Sequence, residues 1–95
     1  MKALQIIKDK IVIGDLIIEM VVWEVSKPLS ASKHNYKYRL YFGRAGQCLV
    51  RYDNEQGKGD HVHYPESEIP YQFISLAKLV ADFEADIQKV LRGVQ

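Results

Sequence analysis

The sequence predicts an α+β domain: an antiparallel sheet of about four strands with one long C-terminal helix packed on one face. Three observations carry this. Two β-branched runs flank Gly14-Asp15 near the start. Two stretches between Tyr36 and Asp53 alternate apolar and polar side chains with a period of two, and the C-terminal segment repeats its apolar side chains with the period of a helix.

Residues 3–13 and 16–25 are rich in Ile and Val, and the Gly14-Asp15 break between them signals a hairpin with positive φ at its first turn position. A short helix over 3–10 competes for the first run. Leu16 to Val25 is apolar on both faces except at Glu19 and Glu24, as in a central strand. Residues 26–35, with Pro28 and several serines, form a polar loop able to act as a lid.

Tyr36, Tyr38, Leu40 and Phe42 then share one face, with Lys37, Arg39 and Tyr41 on the other. Cys48, Val50 and Tyr52 alternate with Leu49, Arg51 and Asp53 in the same way. A three-residue loop, Arg44-Ala45-Gly46, would set Phe42 against Cys48, Leu40 against Val50 and Tyr38 against Tyr52. It would also set Tyr41 against Leu49, Arg39 against Arg51 and Lys37 against Asp53. Two facing arginines repel, so this register calls for a carboxylate such as Glu19 or Glu24, or for an anionic ligand such as phosphate.

Residues 54–60 form a Gly-rich polar loop, 61–64 suit a short strand, and 65–70 make a proline-bounded turn leading to Tyr71 and Phe73. Ser75 is placed to cap the helix, with Ile74 and Leu79 in the staple positions. Leu76, Leu79, Val80, Phe83, Ile87, Val90 and Leu91 form its apolar stripe, and Gly93 closes it. With one sheet face under the helix, the other carries Lys37, Arg39 and Arg51.

A chain of 95 residues, 47% hydrophobic and 26% charged, suits a single domain over 1–95. The net charge of +1 means that any affinity for nucleic acid must come from a local patch. The lone Cys48 sits in an apolar run and reads as a small buried hydrophobe in a reducing compartment. The start lacks a signal-peptide pattern, and the run from Leu16 to Trp23 is too short to span a bilayer. A cytoplasmic protein is expected.

Arg51 to His63 is the richest stretch, with two histidines, three acids, a lysine and two glycines. His61 and His63 would point to one face of a strand. One reading is RNA cleavage by 2′-oxygen attack, which needs proton carriers near neutrality and cations around the phosphorane. His61 and His63 would move protons, and Arg39 and Arg51 would bind phosphate. Lys37, Tyr38, Tyr41, Arg44 and Lys58 would contact nucleic acid, with tyrosines on the open face stacking on bases. A second reading gives the two imidazoles to a metal, with Asp53, Asp60 or His34 as a third ligand. A third leaves them as exposed polar residues of an edge strand. The Gly57-Lys58-Gly59-Asp60 loop lacks the spacing of a nucleotide-binding loop.

Glu19-Met-Val-Val-Trp23, Tyr36-Lys-Tyr-Arg-Leu40, Arg51-Tyr-Asp-Asn-Glu55 and Gly57-Lys-Gly-Asp-His-Val-His63 together resemble the TumE family of small prokaryotic toxins. Tyr71-Gln-Phe73 and Asp82-Phe83 extend the resemblance over nearly the whole chain. It implies a toxin acting in the cytoplasm and a cognate antitoxin, commonly a DNA-binding protein encoded alongside. Motif matching marks His34, Lys37, Tyr38, Arg39, Tyr52, Asp53, Asn54, Asp60, His61 and His63, of which His34, Tyr52, Asp53, Asn54 and Asp60 serve as supporting residues. The side-chain types favour a metal-independent endoribonuclease with no cofactor. The alternative is a non-catalytic module of the same fold, binding an acidic partner or its antitoxin. Exposed strand edges make a homodimer an option.

Overall fold

The computed structural model describes residues 3–29, 32–55 and 59–93. Six strands run in chain order across one antiparallel sheet: β1 (Ala3–Ile13), β2 (Leu16–Val25), β3 (Tyr36–Arg44), β4 (Gln47–Asp53), β5 (His61–Tyr64) and β6 (Ser67–Pro70). The helix α1 (Leu76–Leu91) follows and packs on one face. The fold class is as expected, but the sheet has six strands rather than about four. β5 is the short strand expected over 61–64; β6 is the unexpected one, joined to it at Pro65-Glu66 with Tyr64 opposite Ser67. Pro65 occupies the turn and Pro70 ends an edge strand, the two places where a missing N–H breaks no ladder.

The first run is strand, not helix, and pairs Ile13 with Leu16 around Gly14 at φ 59°. Most of β1 is exposed, including Leu4, Val12 and Ile13. The β3–β4 turn is tighter than expected. Ala45 (φ 50°) and Gly46 (φ 81°) are both left-handed, so only two residues connect Arg44 to its partner Gln47. The ladder then slips at Leu49, giving Gly43 opposite Cys48 but Phe42 opposite Val50. The resulting register moves by two from the expected one. Leu40 faces Tyr52, Tyr41 faces Arg51, and Arg39 faces Asp53. An even shift preserves which side chains share a face. It also removes the expected clash, because Arg39 meets a carboxylate in place of Arg51.

Under the helix lie Val22, Tyr38, Leu40, Phe42, Val50, Tyr52 and Val62, packed with Leu79, Phe83 and Ile87. The Ser75 hydroxyl accepts from the Lys78 amide at 3.1 Å, and Gly93 has φ 75°. Ile74 is 63% exposed, so the expected staple onto buried Leu79 does not form. The outer end of the stripe is likewise open, with Leu91 exposed. No helix among the described residues is long and apolar enough to cross a membrane.

Polar links supplement this core. Asp86 accepts hydrogen bonds from Tyr52 (2.6 Å) and Tyr64 (2.7 Å), and Asp82 accepts from Tyr71 (2.7 Å). Each carboxylate extends from the helix to a hydroxyl on the sheet or the segment after it. Asp86→Ala leaves two hydroxyls without their acceptor and is expected to lower unfolding free energy by about 2–3 kcal/mol. Glu84→Ala, on the exposed side, should stay within about 0.5 kcal/mol, both read by urea unfolding.

Burial first, and the Asp86 hydrogen bond second, push the Tyr64 hydroxyl up to about 12. Tyr52 is raised further for the same reasons. A phenol that ionises less readily when folded stabilises the fold below its ordinary pKa near 10, and that contribution is lost as pH rises through the folded value. Stability should therefore fall between about pH 10 and 12. Tyrosinate absorbance and loss of far-UV dichroism are expected to rise together over that window.

Candidate functional site

Two polar centres lie at the β3–β5 end of the sheet, and they differ in kind. The first is a knot of His34, Asp60, Tyr38, Ser32 and Asn54. Asp60 Oδ1 accepts from the Ser32 hydroxyl at 2.9 Å, and Oδ2 accepts from the Tyr38 hydroxyl at 2.7 Å and lies 2.6 Å from His34 Nε2. His34 Nδ1 accepts the Tyr36 amide N–H at 3.2 Å, so Nε2 must carry the proton it donates to Asp60. The ring stacks on Phe73 with centroids 3.7 Å apart. Both nitrogens of His34 are therefore occupied in holding the chain.

Asn54 completes this knot. Its side-chain oxygen accepts from the Tyr38 amide (3.1 Å), while its NH2 donates to the Tyr36 carbonyl (2.7 Å) and to Ser32 (3.3 Å). Continuing the β4 register, Asn54 would stand opposite Tyr38, so its amide replaces the next rung after β4 ends. Asn54 and Tyr38 have no exposed surface. Burial and the Asp60 hydrogen bond raise the Tyr38 hydroxyl above its ordinary range. Tyr38, expected to meet nucleic acid, instead has its ring in the core; Tyr52 lies there too, bonded to Asp86.

The second centre follows from strand pairing. On the face away from the helix, one lateral row runs Lys10, Glu19, Tyr41, Arg51, His63 and Glu68 across all six strands. The next runs Lys8, Val21, Arg39, Asp53, His61 and Pro70. Arg51 thus lies beside His63, and Asp53 beside His61. Arg51 Nε donates to Asp53 Oδ2 at 2.7 Å. Asp53 Oδ1 is 2.9 Å from His61 Nε2, and Glu68 Oε2 is 3.3 Å from the Nε2 of both histidines. The two rings sit edge to face with centroids 4.9 Å apart.

The histidines are unequal. His61 is 4% exposed, whereas the His63 side chain is 25% exposed. Burial, and then the Arg51 guanidinium, hold His63 below the usual imidazole range. Arg39 lies over the Tyr41 ring at 5.0 Å and is 3.6 Å from Glu19, the carboxylate that was one of the two expected compensations. Lys37 approaches Glu55 at 3.9 Å. Arg44 is not brought to this cluster: it lies three residue steps beyond Tyr41, roughly 10 Å along the strand. Alternation also turns it to the helix side. Lys58 lies outside the described residues.

Glu68 was not among the expected residues. The signal was present, since a two-residue turn at Pro65-Glu66 puts Tyr64 opposite Ser67 and so His63 opposite Glu68.

A family model described as Toxin TumE matches residues 2–91. The chain belongs to the TumE toxin family. Neither the curated proteins nor the solved structures gave a significant match. TumE membership carries a toxin role and, in general, an antitoxin partner. On this TumE framework the His34–Asp60 knot holds loops to β3, whereas the Arg51–His63 centre faces away from the core. Asp60→Ala is expected to lower unfolding free energy by about 3 kcal/mol, because three donors lose one buried acceptor. His63→Ala should cost less than about 1 kcal/mol, again by urea unfolding.

Proposed function

We propose that this TumE toxin is a metal-independent endoribonuclease whose site is the helix-free face of β3–β5. The observation that carries this reading is the lateral row placing Arg51 between Tyr41 and His63, with Arg39 one row away. A partly exposed imidazole held neutral beside the Arg51 guanidinium, with Arg39 two strands away on the same face, suits attack of a 2′-hydroxyl on the adjacent phosphate.

In this reaction His63 takes the 2′-hydroxyl proton as the 2′-oxygen bonds to phosphorus. The bond from phosphorus to the 5′-oxygen breaks, and the imidazolium returns the proton to that leaving oxygen. A 2′,3′-cyclic phosphate and a 5′-hydroxyl result. Arg51 and Arg39 balance charge on the phosphorane, since a guanidinium has donors left beyond those its carboxylate engages. Tyr41 offers a ring on the same face for a base. His61 is too enclosed to meet substrate and acts as a positioning residue beside Asp53. The toxin would act in the cytoplasm, and its antitoxin would be a DNA-binding protein encoded beside it.

Expression in a bacterial host should arrest growth, and the purified chain should cut a mixed RNA pool. His63→Ala and Arg51→Ala are each expected to lower cutting at least 100-fold while keeping the wild-type dichroism spectrum. A wild type that leaves RNA intact would overturn the reading in favour of a non-catalytic module, and cutting that survives both substitutions would remove this face as the site.

A further inference from the structure

His61 Nδ1 lies 3.0 Å from the Gly59 carbonyl oxygen. A carbonyl only accepts, so Nδ1 carries a proton and the neutral ring presents a lone pair at Nε2. Carboxylates crowd that nitrogen: Asp53 Oδ1 at 2.9 Å and Glu68 Oε2 at 3.3 Å. The contact with Asp53 is short, yet its angles are not those of a hydrogen bond. Among the described residues, Asp53 Oδ1 and His61 Nε2 are the buried side-chain atoms left without a hydrogen-bond partner. Each belongs to a side chain at least nine-tenths buried. An unpaired buried acceptor facing another is costly, and a cation between them resolves it.

The surrounding atoms fit such a cation. His61, His63 and Glu68 each offer one ligand atom, and these atoms all lie within 4.8 Å of one another. Glu68 Oε2 stands 3.3 Å from the Nε2 of each histidine. Ligands about 2.05 Å from a tetrahedral zinc stand roughly 3.3–3.4 Å apart. The bond from His61 Nδ1 to a backbone carbonyl is also the arrangement that fixes the tautomer of a metal-ligating histidine. Pairing across β5 and β6 supplies all three ligands from two short strands, with Asp53 adding a second negative charge from β4.

We infer that His61, His63 and Glu68 form a site for one divalent transition-metal ion of the zinc type. Two imidazoles and one carboxylate select such an ion over Mg2+, which prefers oxygen donors. The consequence for activity rests on the ribonuclease reading: an ion at His63 Nε2 takes up the lone pair, so the loaded toxin would be the silent form. Binding itself is independent of that reading.

The test is equilibrium dialysis of tag-free, chelator-treated protein against Zn2+, with elemental analysis of the bound ion. Wild type should bind about one Zn2+ per chain and melt at a higher temperature with it. Glu68→Gln and His63→Ala should each weaken binding roughly tenfold or more, whereas Cys48→Ser leaves it unchanged. The conservative Glu68→Gln on an edge strand keeps the fold, which dichroism verifies. No stoichiometric Zn2+ in wild type, undiminished binding in Glu68→Gln, or dependence on Cys48 would each sink the proposal. RNA cutting by a chain that binds no Zn2+ sinks the metal site alone; Zn2+ binding by a chain that never cuts supports the site and removes the ribonuclease.

Discussion

The extra residue in β4, Leu49, decides which charges meet on this sheet. A two-residue turn at Ala45-Gly46 pairs Arg44 with Gln47 and Gly43 with Cys48. Continued without interruption, that register would place Arg51 opposite Leu40, on the face under the helix. A guanidinium there would be stranded among Leu40, Phe42 and Phe83, at a penalty no packing could offset. The slip at Leu49 returns Val50 and Tyr52 to the core and Arg51 and Asp53 to the other side. Every neighbour relation in the candidate site, from Arg39 with Asp53 to Arg51 with His63, depends on that correction.

The polar groups of the interior follow one rule. Tyr38, Tyr52, Tyr64 and Tyr71 each give their hydroxyl to an aspartate outside the sheet ladder. The rings supply apolar area, and the hydroxyls fix where the helix and loops sit against them. A small sheet with a single helix has limited apolar surface to bury, so directional bonds of this kind help to define one packing. The acidic side of α1 is thus partly an internal surface rather than a solvated one.

The helix, the first hairpin and the alternation of β3 and β4 were legible because each rests on local periodicity or on a glycine at a turn. The Arg39–Asp53 pairing was not, because it depends on turn length plus a bulge, and neither Arg44 nor Leu49 is a residue that marks one. β6 was obscured by Pro65 and Pro70, which fit a turn as well as they fit the ends of an edge strand. Glu68 was lost with it. His61, His63, Arg39 and Arg51 were evident as chemistry-bearing residues, but the difference in their surroundings was not. Burial separates the two histidines, and burial depends on what lies over a strand rather than on the strand's own pattern.

That division also explains why Asp53 and Asp60, seven positions apart, cannot exchange roles. Asp60 has donors on both of its oxygens: a serine hydroxyl on Oδ1, and a tyrosine hydroxyl and an imidazole N–H on Oδ2. Its charge is dispersed and its surroundings are fixed. Asp53 has one oxygen engaged by Arg51 and the other directed at a histidine nitrogen that has no proton to offer in the neutral ring. One carboxylate has both oxygens engaged, and the other has an oxygen left open to a nearby cation. Unsatisfied valence of that kind is unstable in a purely structural core, and it persists where the protein has a use for it. The polar imbalance of this face therefore originates in β4 and β5, and the His34–Asp60 knot beside it supplies the rigidity against which that imbalance is held.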